Sequence, residues 1–297
     1  MKVGHDPVST LEVRNFIDAV LQSATLDSIA KVTQNQYDLA WRTWLSGSAY
    51  NTVRGLGTMP FSSFAAGTTP AFGEFIARHP HRRVRVSRND FALTKILCHS
   101  WSRTWIPLEE DILDQNDCVV ISQPFSGNGS LFPGWNQLMD QADKLSVPVF
   151  LDGCYFGISH GVQYDLSRPC ITDFAVSLTK NLAGNSLRLG VRFTREQQDD
   201  GITAAAIGSD IFDRLGSHIA LKLLEQFPHD WFVHQYQDHS FNLCRKNGLK
   251  PTNVLTLGLG TSDMTQFQRG DFVRACISDE LSAIDLTLLQ QPSKITT

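Results

Sequence analysis

The chain has 297 residues, of which 42% are hydrophobic and 19% charged, enough to bury a sizeable core in one or two globular domains. Its 26 basic and 30 acidic residues give a net charge of -4, so it lacks the strong basic field that attracts nucleic acid. No apolar run is long enough to cross a bilayer, and the first residues lack the apolar segment of a signal peptide. These features exclude a nucleic-acid-binding or membrane protein and predict a soluble, cytoplasmic one.

Six cysteines are scattered along the chain without a CxxC pair. This pattern indicates reduced core residues rather than disulfide partners or zinc ligands. The histidines between positions 218 and 239 lack a metal-ligand spacing and are interpreted as surface or structural residues. We therefore expect no metal site.

The N-terminal part predicts two helices and an irregular connection. The first helix opens at Ser9, a candidate N-cap with Glu12 three residues later, as in a capping box. The second covers roughly Leu26 to Leu45, and its tryptophans and tyrosine favour packing in the core or at a subunit interface. The stretch from Ser46 to Met59 is rich in small and turn-forming residues, which is typical of an irregular connection.

A glycine turn then leads into a helix that starts near Pro70, since proline suits a first helical turn. The backbone N–H groups there, with Gly67 and the Thr68 and Thr69 hydroxyls, predict an anion site, although helix capping alone would also explain the threonines. Strands and a helix come next, in the order of a β-α-β unit. The strands are expected over Arg83 to Ser87, Trp105 to Leu108 and Asp117 to Gln123, and the helix over Gly134 to Leu145.

The stretch from Val147 to Phe193 contains three strand-like runs with polar residues at their ends. Val147 to Leu151 ends at Asp152, Asp173 to Leu178 delivers Ser177, Thr179 and Lys180, and Leu187 to Phe193 carries Arg188 at its start. In open α/β sheets, ligands bind in the crevice beyond the carboxyl ends of the strands. The sequence therefore predicts that Asp152, Tyr155, Ser177, Lys180 and Arg188 line one pocket.

The chemistry of this set is specific only when its members are taken together. A lysine walled by apolar strands can lose its charge by desolvation and form a Schiff base. A carboxylate nearby can hold a pyridine nitrogen protonated, and an arginine offers a planar fork for a phosphate. Taken singly, Lys180 would be a solvated surface charge and Asp152 a turn residue before glycine.

Three motifs in this stretch carry a resemblance: Asp152-Gly-Cys-Tyr155, Ser177-Leu-Thr-Lys180, and Arg188 eight residues after the lysine. Together they resemble the fold-type I enzymes that depend on pyridoxal 5'-phosphate (PLP), most closely the class I/II aminotransferases. The resemblance implies that Lys180 forms the Schiff base with PLP and that Asp152 faces its ring nitrogen. It also implies that Tyr155 donates to the phenolic oxygen and that Ser177 and Arg188 hold the phosphate.

The same resemblance gives roles to residues outside these motifs. It implies that residues 67–69 cradle the phosphate and that Phe91 stacks on the cofactor ring, with an ordinary core phenylalanine as the alternative. Arg274, in a strand expected over residues 271–278, would bind the substrate α-carboxylate unless it is an edge-strand residue facing water. Tyr50 would reach the substrate from an N-terminal loop, often that of the neighbouring subunit.

One loop departs from the family pattern. Residues 124–129 resemble the family's Asn-Pro-x-Asn-Pro-Thr-Gly loop, but Ser126 stands in place of the asparagine that bonds the phenolic oxygen. Three arrangements would then serve that oxygen: Ser126 donates instead, Asn128 swings in, or Tyr155 acts alone. The departure leaves the reaction outcome open.

The C-terminal part predicts a polar hinge, a helix, two strands and a last helix. Their expected ranges are 197–208, 209–227, 253–259, 271–278 and from Asp279 onward.

We therefore expect an α/β fold of the fold-type I class, with a mostly parallel sheet between helices. The large PLP-binding domain is expected over residues 47–200, and a reduced small α+β domain with the N-terminal helices over residues 1–46 and 201–297. The resemblance implies a homodimeric PLP-dependent aminotransferase acting on small-molecule amino acids and keto acids. The alternatives are another PLP-dependent reaction (lyase, decarboxylase, racemase or oxidase) and a non-catalytic descendant.

Overall fold

The structure, a computed structural model, describes residues 1–290 apart from 3, 5, 9, 185, 186, 209 and 210. The strands, in chain order, are β1 Thr52–Arg54, β2 Phe61–Ala65, β3 Arg83–Val86, β4 Trp105–Pro107, β5 Asp117–Ser122, β6 Val149–Asp152, β7 Gln163–Asp165, β8 Ile171–Ser177, β9 Gly190–Thr194, β10 Lys250–Pro251, β11 Leu257–Leu259, β12 Gln268–Arg269 and β13 Phe272–Cys276. The helices are α1 Leu11–Ser23, α2 Leu26–Ala30, α3 Gln34–Ser46, α4 Thr69–Arg78, α5 Leu93–Ser100, α6 Trp135–Leu145, α7 Gly201–Thr203, α8 Arg214–Gln226, α9 Trp231–Lys246 and α10 Ser278–Gln290. In the part of the chain so described, no helix is long and apolar enough to cross a membrane.

A seven-stranded sheet forms the centre of the molecule, in the order β2-β9-β8-β6-β5-β3-β4. The pairs from β8 through β6, β5 and β3 to β4 are parallel, and β9 runs antiparallel to both of its neighbours. All residues of β5 and β6 are buried, as expected for strands covered on both faces. The predicted α/β fold with a mostly parallel sheet is confirmed.

Helices cover both faces of this sheet, because successive residues of a strand point to opposite sides. In β5, Val119 and Ile121 belong to a core shared with α1, α3, α6 and α8. Cys118 and Val120, which alternate with them, belong to a second core that includes the apolar residues of α4. The two cores hold the strand ends, and hence the adjoining loops, in fixed positions.

A four-stranded antiparallel sheet lies beside the first, in the order β10-β11-β13-β12. Its core includes the apolar residues of α9 together with Tyr155 and Ile158, which come after β6. The small sheet therefore packs against the loop that leaves the carboxyl end of a central strand. The predicted boundary between a large and a small domain stays a prediction.

Two N-terminal predictions differ from the structure. The helix expected over residues 26–45 is divided into α2 and α3, because Thr33 caps a new helix: its hydroxyl accepts from Gln36 N, and the Gln36 side chain accepts from Thr33 N. Thr10 caps α1 by accepting from Val13 N, while Ser9 lies outside the described residues. The irregular connection expected over 46–59 contains the short strand β1, which pairs with β7.

Further along the chain, the third strand of the predicted pocket begins later than expected and runs the other way. β9 starts at Gly190 rather than Leu187, and it pairs antiparallel with β8. Arg188 therefore precedes the start of a strand that lies beside the carboxyl ends of its parallel neighbours. The strand expected over 253–259 is confined to β11, and the sixteen-residue helix α9 was not predicted.

Candidate active site

A cavity lies at the carboxyl ends of β6 and β8. Twelve residues line it: Thr68, Thr69, Phe91, Ser126, Asp152, Cys154, Tyr155, Ser177, Thr179, Lys180, Arg188 and Arg269. Nine of them are site residues predicted from the sequence, and the exceptions are Cys154, Thr179 and Arg269. The structure thus brings together side chains from seven separate segments of the chain.

One end of the cavity is built by backbone that approaches an arginine closely. Gly67 has a φ of +74°, and a Cβ placed on it would lie 2.7 Å from Arg188 Nη2. Arg188 Nη2 also donates to Thr69 Oγ1 at 3.0 Å, at the first turn of α4. The positive end of the α4 dipole and the guanidinium therefore face the same space, which favours a multivalent anion.

Asp152 forms a buried acidic group in the cavity. Its side chain accepts from Cys154 N at 3.1 Å and hydrogen-bonds the Thr68 hydroxyl, and the residue is 2% exposed. Burial, together with the nearby charge of Asp90, raises the pKa of Asp152 to about 7 against these hydrogen bonds. Near neutral pH this carboxyl is therefore poised to share a proton with a basic partner.

Asp90 was not predicted, and it organises one side of the cavity. Its carboxylate accepts from Ser122 N at 2.9 Å, from Ser122 Oγ at 2.5 Å and from Phe91 N at 2.7 Å. Ser122 Oγ in turn accepts from Ser126 N at 2.9 Å, and the Ser126 side chain hydrogen-bonds Tyr155. This chain of hydrogen bonds fixes Phe91, Ser126 and Tyr155 relative to the strand end of β5. Burial raises the pKa of Asp90, which these donors partly offset.

The loop after β8 contributes a lysine and two hydroxyls. Ser177 Oγ accepts from Thr179 N at 3.3 Å, which turns the chain so that Lys180 lines the cavity. Thr179 Oγ1 is buried, and in the described part of the chain it has no hydrogen-bond partner. A buried hydroxyl left unbonded costs free energy, so this atom marks a place for an acceptor or donor.

Cys154 lines the cavity between Asp152 and Tyr155. Burial raises the pKa of its thiol well above the ordinary value, the Asp152 charge raises it further, and Lys180 opposes the shift. The thiol is therefore protonated near neutral pH.

Four predicted residues do not line the cavity. Gly67 lies directly behind Arg188, and Asn128 is turned into its own loop, where its side chain accepts from Ser130 N at 2.8 Å. Arg274 is 0% exposed, and its Nη1 donates to the carbonyl of Ser126. The Tyr50 hydroxyl lies 3.5 Å from His234 Nδ1, in contact with α9.

Three lining residues carried different amounts of signal in the sequence. Cys154 and Thr179 lie inside the Asp152–Tyr155 and Ser177–Lys180 motifs, so their place in the cavity can be inferred once the motifs are accepted. Arg269 stands in a short polar stretch before Gly270 with no pattern around it. Only the pairing of β12 with β13 brings it to the cavity.

Neither the family models nor the curated proteins compared with the chain gave a match. Solved structures are similar at low identity. The PLP-bound C-S lyase from Staphylococcus hominis is 13% identical with a TM-score of 0.66, over 97% of this chain and 90% of that one. The histidinol-phosphate aminotransferase from Clostridium acetobutylicum is 12% identical with a TM-score of 0.61, over 96% and 98%.

Cystalysin from Treponema denticola, a structure that contains PLP, is 11% identical with a TM-score of 0.62, over 97% of this chain and 90% of that one. These similarities extend over nearly the whole chain. The chain therefore has the fold of the fold-type I PLP-dependent enzymes.

Proposed function

We propose that the protein is a PLP-dependent enzyme that moves an amino group between an amino acid and a keto acid. The observation that carries this proposal is that Lys180, Asp152 and Arg188 line one cavity with six other residues predicted from the sequence. A lysine, a buried acid and an arginine beside a helix N-terminus are the three groups that such a cofactor needs.

The residues present fit PLP on observations that do not depend on the motifs. The Thr179 hydroxyl, unbonded among the described residues, and the space kept open by Gly67 beside Arg188 both suit a phosphate. Thr69 and Ser177 supply further hydroxyls there. Asp152 would face the ring nitrogen, Tyr155 and Ser126 the phenolic oxygen, and Phe91 the ring. The side chain of Phe91 is 44% exposed, so an apolar surface is available for stacking.

When bound, PLP supplies an aldehyde that condenses with amines and a ring that withdraws electrons from the substrate Cα. Asp152 acts on this ring through charge. The pKa of about 7 is that of Asp152 in the cofactor-free protein. A protonated ring nitrogen beside the carboxylate would favour its ionised form and so lower this pKa. Asp152 would therefore hold a proton on that nitrogen, which is the form that withdraws electrons best.

Lys180 would have two successive tasks. Its Nζ would hold the cofactor covalently and, once free, would remove and return the proton at the substrate Cα. The lysine comes directly after the Ser177 turn, which holds its backbone at the edge of the sheet. One residue thus provides both attachment and proton transfer.

Cleavage of a carbon–sulfur bond is the second candidate. It is supported by the similar structures, which include a C-S lyase, and by Ser126 at the position where aminotransferases have asparagine. Both reactions begin with removal of the Cα proton and differ in the next step, which is reprotonation in transamination and loss of the sulfur group in elimination.

The distinguishing experiment mixes the PLP-loaded protein with single amino acids, including L-cystathionine. Transamination produces a keto acid while the amine form of the cofactor accumulates, and addition of a second keto acid restores the original spectrum. Elimination also yields a keto acid, but it releases ammonia and a thiol together with it, and the amine form does not accumulate. A protein that takes up no PLP at all contradicts both candidates.

We also propose that the protein is a homodimer in the cytoplasm. Several apolar side chains of the N-terminal helices are exposed, among them Leu21, Leu26 and Leu39. A partner subunit that covers them would remove this apolar surface from water. Sedimentation of the purified chain at two concentrations tests the dimer, and a monomer at both contradicts it.

A further inference from the structure

Asp90 is a second buried carboxyl beside the cavity. It comes directly before Phe91, which lines the cavity, and only 5% of Asp90 is exposed. Its Oδ2 accepts from Ser122 N, and its Oδ1 accepts from Ser122 Oγ and from Phe91 N. All three of these partners are donors, and an ionised carboxylate is the form that only accepts. The contacts therefore stabilise the charged form of Asp90.

The central sheet brings this carboxyl close to Asp152. β5 and β6 are parallel neighbours, and Ser122 is paired with Asp152 at their carboxyl ends. Residues paired in this way point to the same face of the sheet. Because Asp90 is bonded to Ser122 through both of its oxygens, the two carboxyls lie at adjoining strand ends. Both are buried, so solvent ions screen the interaction of their charges only weakly.

The other titratable groups around the two carboxyls do not cancel this interaction. Lys95 on α5 donates from Nζ to the Asp90 carbonyl at 3.4 Å, and its charge opposes the rise in the pKa of Asp90 that burial causes. Burial raises the pKa of Cys154, Tyr155 and Tyr164, so these groups are neutral near neutral pH. Lys180 acts on Cys154, and the charges of Arg269 and Glu109 act on Lys95.

We propose that Asp90 is a positioning residue whose negative charge makes Asp152 keep a proton, either on its own oxygen or on a ring nitrogen that it faces. A second negative charge nearby favours the proton in the site whichever of these atoms carries it. The part that concerns the ring nitrogen rests on the proposed function. The structural alternative is that Asp90 only holds Ser122 and Phe91 in place, which requires its hydrogen bonds but not its charge.

The test measures how the stability of the cofactor-free protein depends on pH, with and without the charge at position 90. Thermal melts compare D152N with the wild type, and D90N/D152N with D90N. In the first pair the difference in melting temperature should grow as pH rises from about 4 and level off above about 7, where Asp152 has ionised. In the second pair it should level off about one pH unit lower and end at a smaller value.

D230N is the matched control for the loss of a buried carboxylate. Asp230 accepts from Ser48 Oγ at 2.9 Å and from Ala49 N at 2.6 Å, and it does not line the cavity. In the D230N background, the effect of D152N should level off at the same pH as in the wild type. D90E keeps the charge and should also keep this pH. D90S removes the charge with a smaller side chain and replaces D90N if that variant does not fold.

A second measurement concerns the ring nitrogen. It compares the dissociation constants of PLP and of its 1-deaza analogue, in which a carbon replaces the ring nitrogen. The wild type should prefer PLP, and D90N should reduce this preference by up to about 10-fold, while D230N leaves it unchanged.

The outcomes separate the role of Asp90 from the proposed function. If the effect of D152N levels off at the wild-type pH in the variant that lacks the charge, the charge of Asp90 has no role and only the structural alternative remains. An unchanged preference for PLP in D90N overturns the part that concerns the ring nitrogen. A wild type that binds neither PLP nor its analogue contradicts the proposed function, whereas the melts of the cofactor-free protein decide the interaction of the two carboxyls in either case.

Discussion

The two ends of the cavity are built in different ways. At the sheet end, Asp152 and Ser177 terminate adjacent parallel strands, and Arg188 precedes the antiparallel strand next to them. At the other end, called the hairpin end, Arg269 comes from the hairpin of β12 and β13, and Phe91 comes from the segment after β3. Two hydrogen bonds between the Asn89 side chain and Asp271 join this hairpin to that segment. The sheet end is held by two buried cores, whereas the hairpin end depends on a few polar contacts.

This difference suggests a division of labour. Groups that must hold a cofactor in one position lie on the most rigid elements of the fold. Groups that choose the substrate lie on loops, whose residues can change without disturbing the sheet. We therefore expect substitutions at the sheet end to affect cofactor binding, and substitutions at the hairpin end to affect the choice of substrate.

The largest effect is expected for K180A. Loss of the amine removes both the attachment and the proton transfer, so turnover should fall by roughly 10⁴-fold or more. The melting temperature of the cofactor-free protein should be nearly unchanged, because Lys180 is not fully buried. K144A, which alters an exposed lysine on α6, is the control. Turnover that survives K180A would contradict the proposal that the sheet end holds the cofactor through Lys180.

D152N should have opposite effects on activity and on stability. In the cofactor-free protein the pKa of Asp152 is about 7, above its ordinary 3.8. Protonation of Asp152 therefore stabilises the folded state. That stability is complete below a pH of about 4 and is lost as pH rises through about 7. Asparagine cannot ionise, so cofactor-free D152N should be more stable than the wild type at pH 8, by roughly 2–4 kcal/mol.

Thermal melts of both proteins across this pH range test the prediction, and the two curves should converge near pH 4. In the same variant, turnover with PLP should fall by roughly 10²-fold or more, since asparagine does not hold the ring nitrogen protonated. Equal stabilities of D152N and the wild type at pH 8 would show that burial does not disfavour the ionised form of Asp152.

G67A tests the close approach to Arg188, with G134A as a matched control. Both glycines have a positive φ, +74° and +76°, so alanine should cost each variant about 1 kcal/mol of stability. Only at Gly67 does the new Cβ meet a neighbour, Arg188 Nη2 at 2.7 Å, whereas nothing lies within 4 Å at Gly134. Titration with PLP should therefore show a loss of affinity of about 10-fold for G67A alone. Equal affinities would mean that Arg188 does not hold the phosphate.

The smallest effect is expected for T179V. Valine keeps the shape of the side chain and removes a buried hydroxyl that has no partner in the described residues. The cofactor-free protein should become more stable by about 1 kcal/mol, while the affinity for PLP falls by roughly 2- to 10-fold. Denaturant unfolding and PLP titration measure the two quantities. A loss of stability without a loss of affinity would assign Thr179 a purely structural role.

The sheet end could be predicted from the sequence because the residues that determine it lie close together along the chain. A short apolar run fixes a buried strand, and the next polar residue must lie at the strand's carboxyl end. Asp152 and the Ser177–Lys180 turn satisfy both conditions within a few residues. The antiparallel direction of β9 was not predicted. The direction of a strand depends on the path of the chain between strands, and the pattern of apolar residues within the strand is the same for both directions.

The hairpin end could not be predicted for a related reason. The structure buries Arg274, which excludes the alternative of an edge-strand residue facing water, and its role toward a substrate stays a prediction. No pattern marks Arg269 in the sequence, and the pairing of β12 with β13 brings it to the cavity. Asp90 was missed for the same reason, since its partner Ser122 lies 32 residues away.

The most direct test of the account is to locate the cofactor on the chain. The full-length protein is mixed with PLP, reduced with borohydride, digested and mapped by mass spectrometry. We predict one phosphopyridoxyl group, carried by the peptide that contains Lys180 and absent from K180A. An adduct on other lysines only, or no adduct in a protein that is folded, would contradict the central claim that this cavity holds PLP through Lys180.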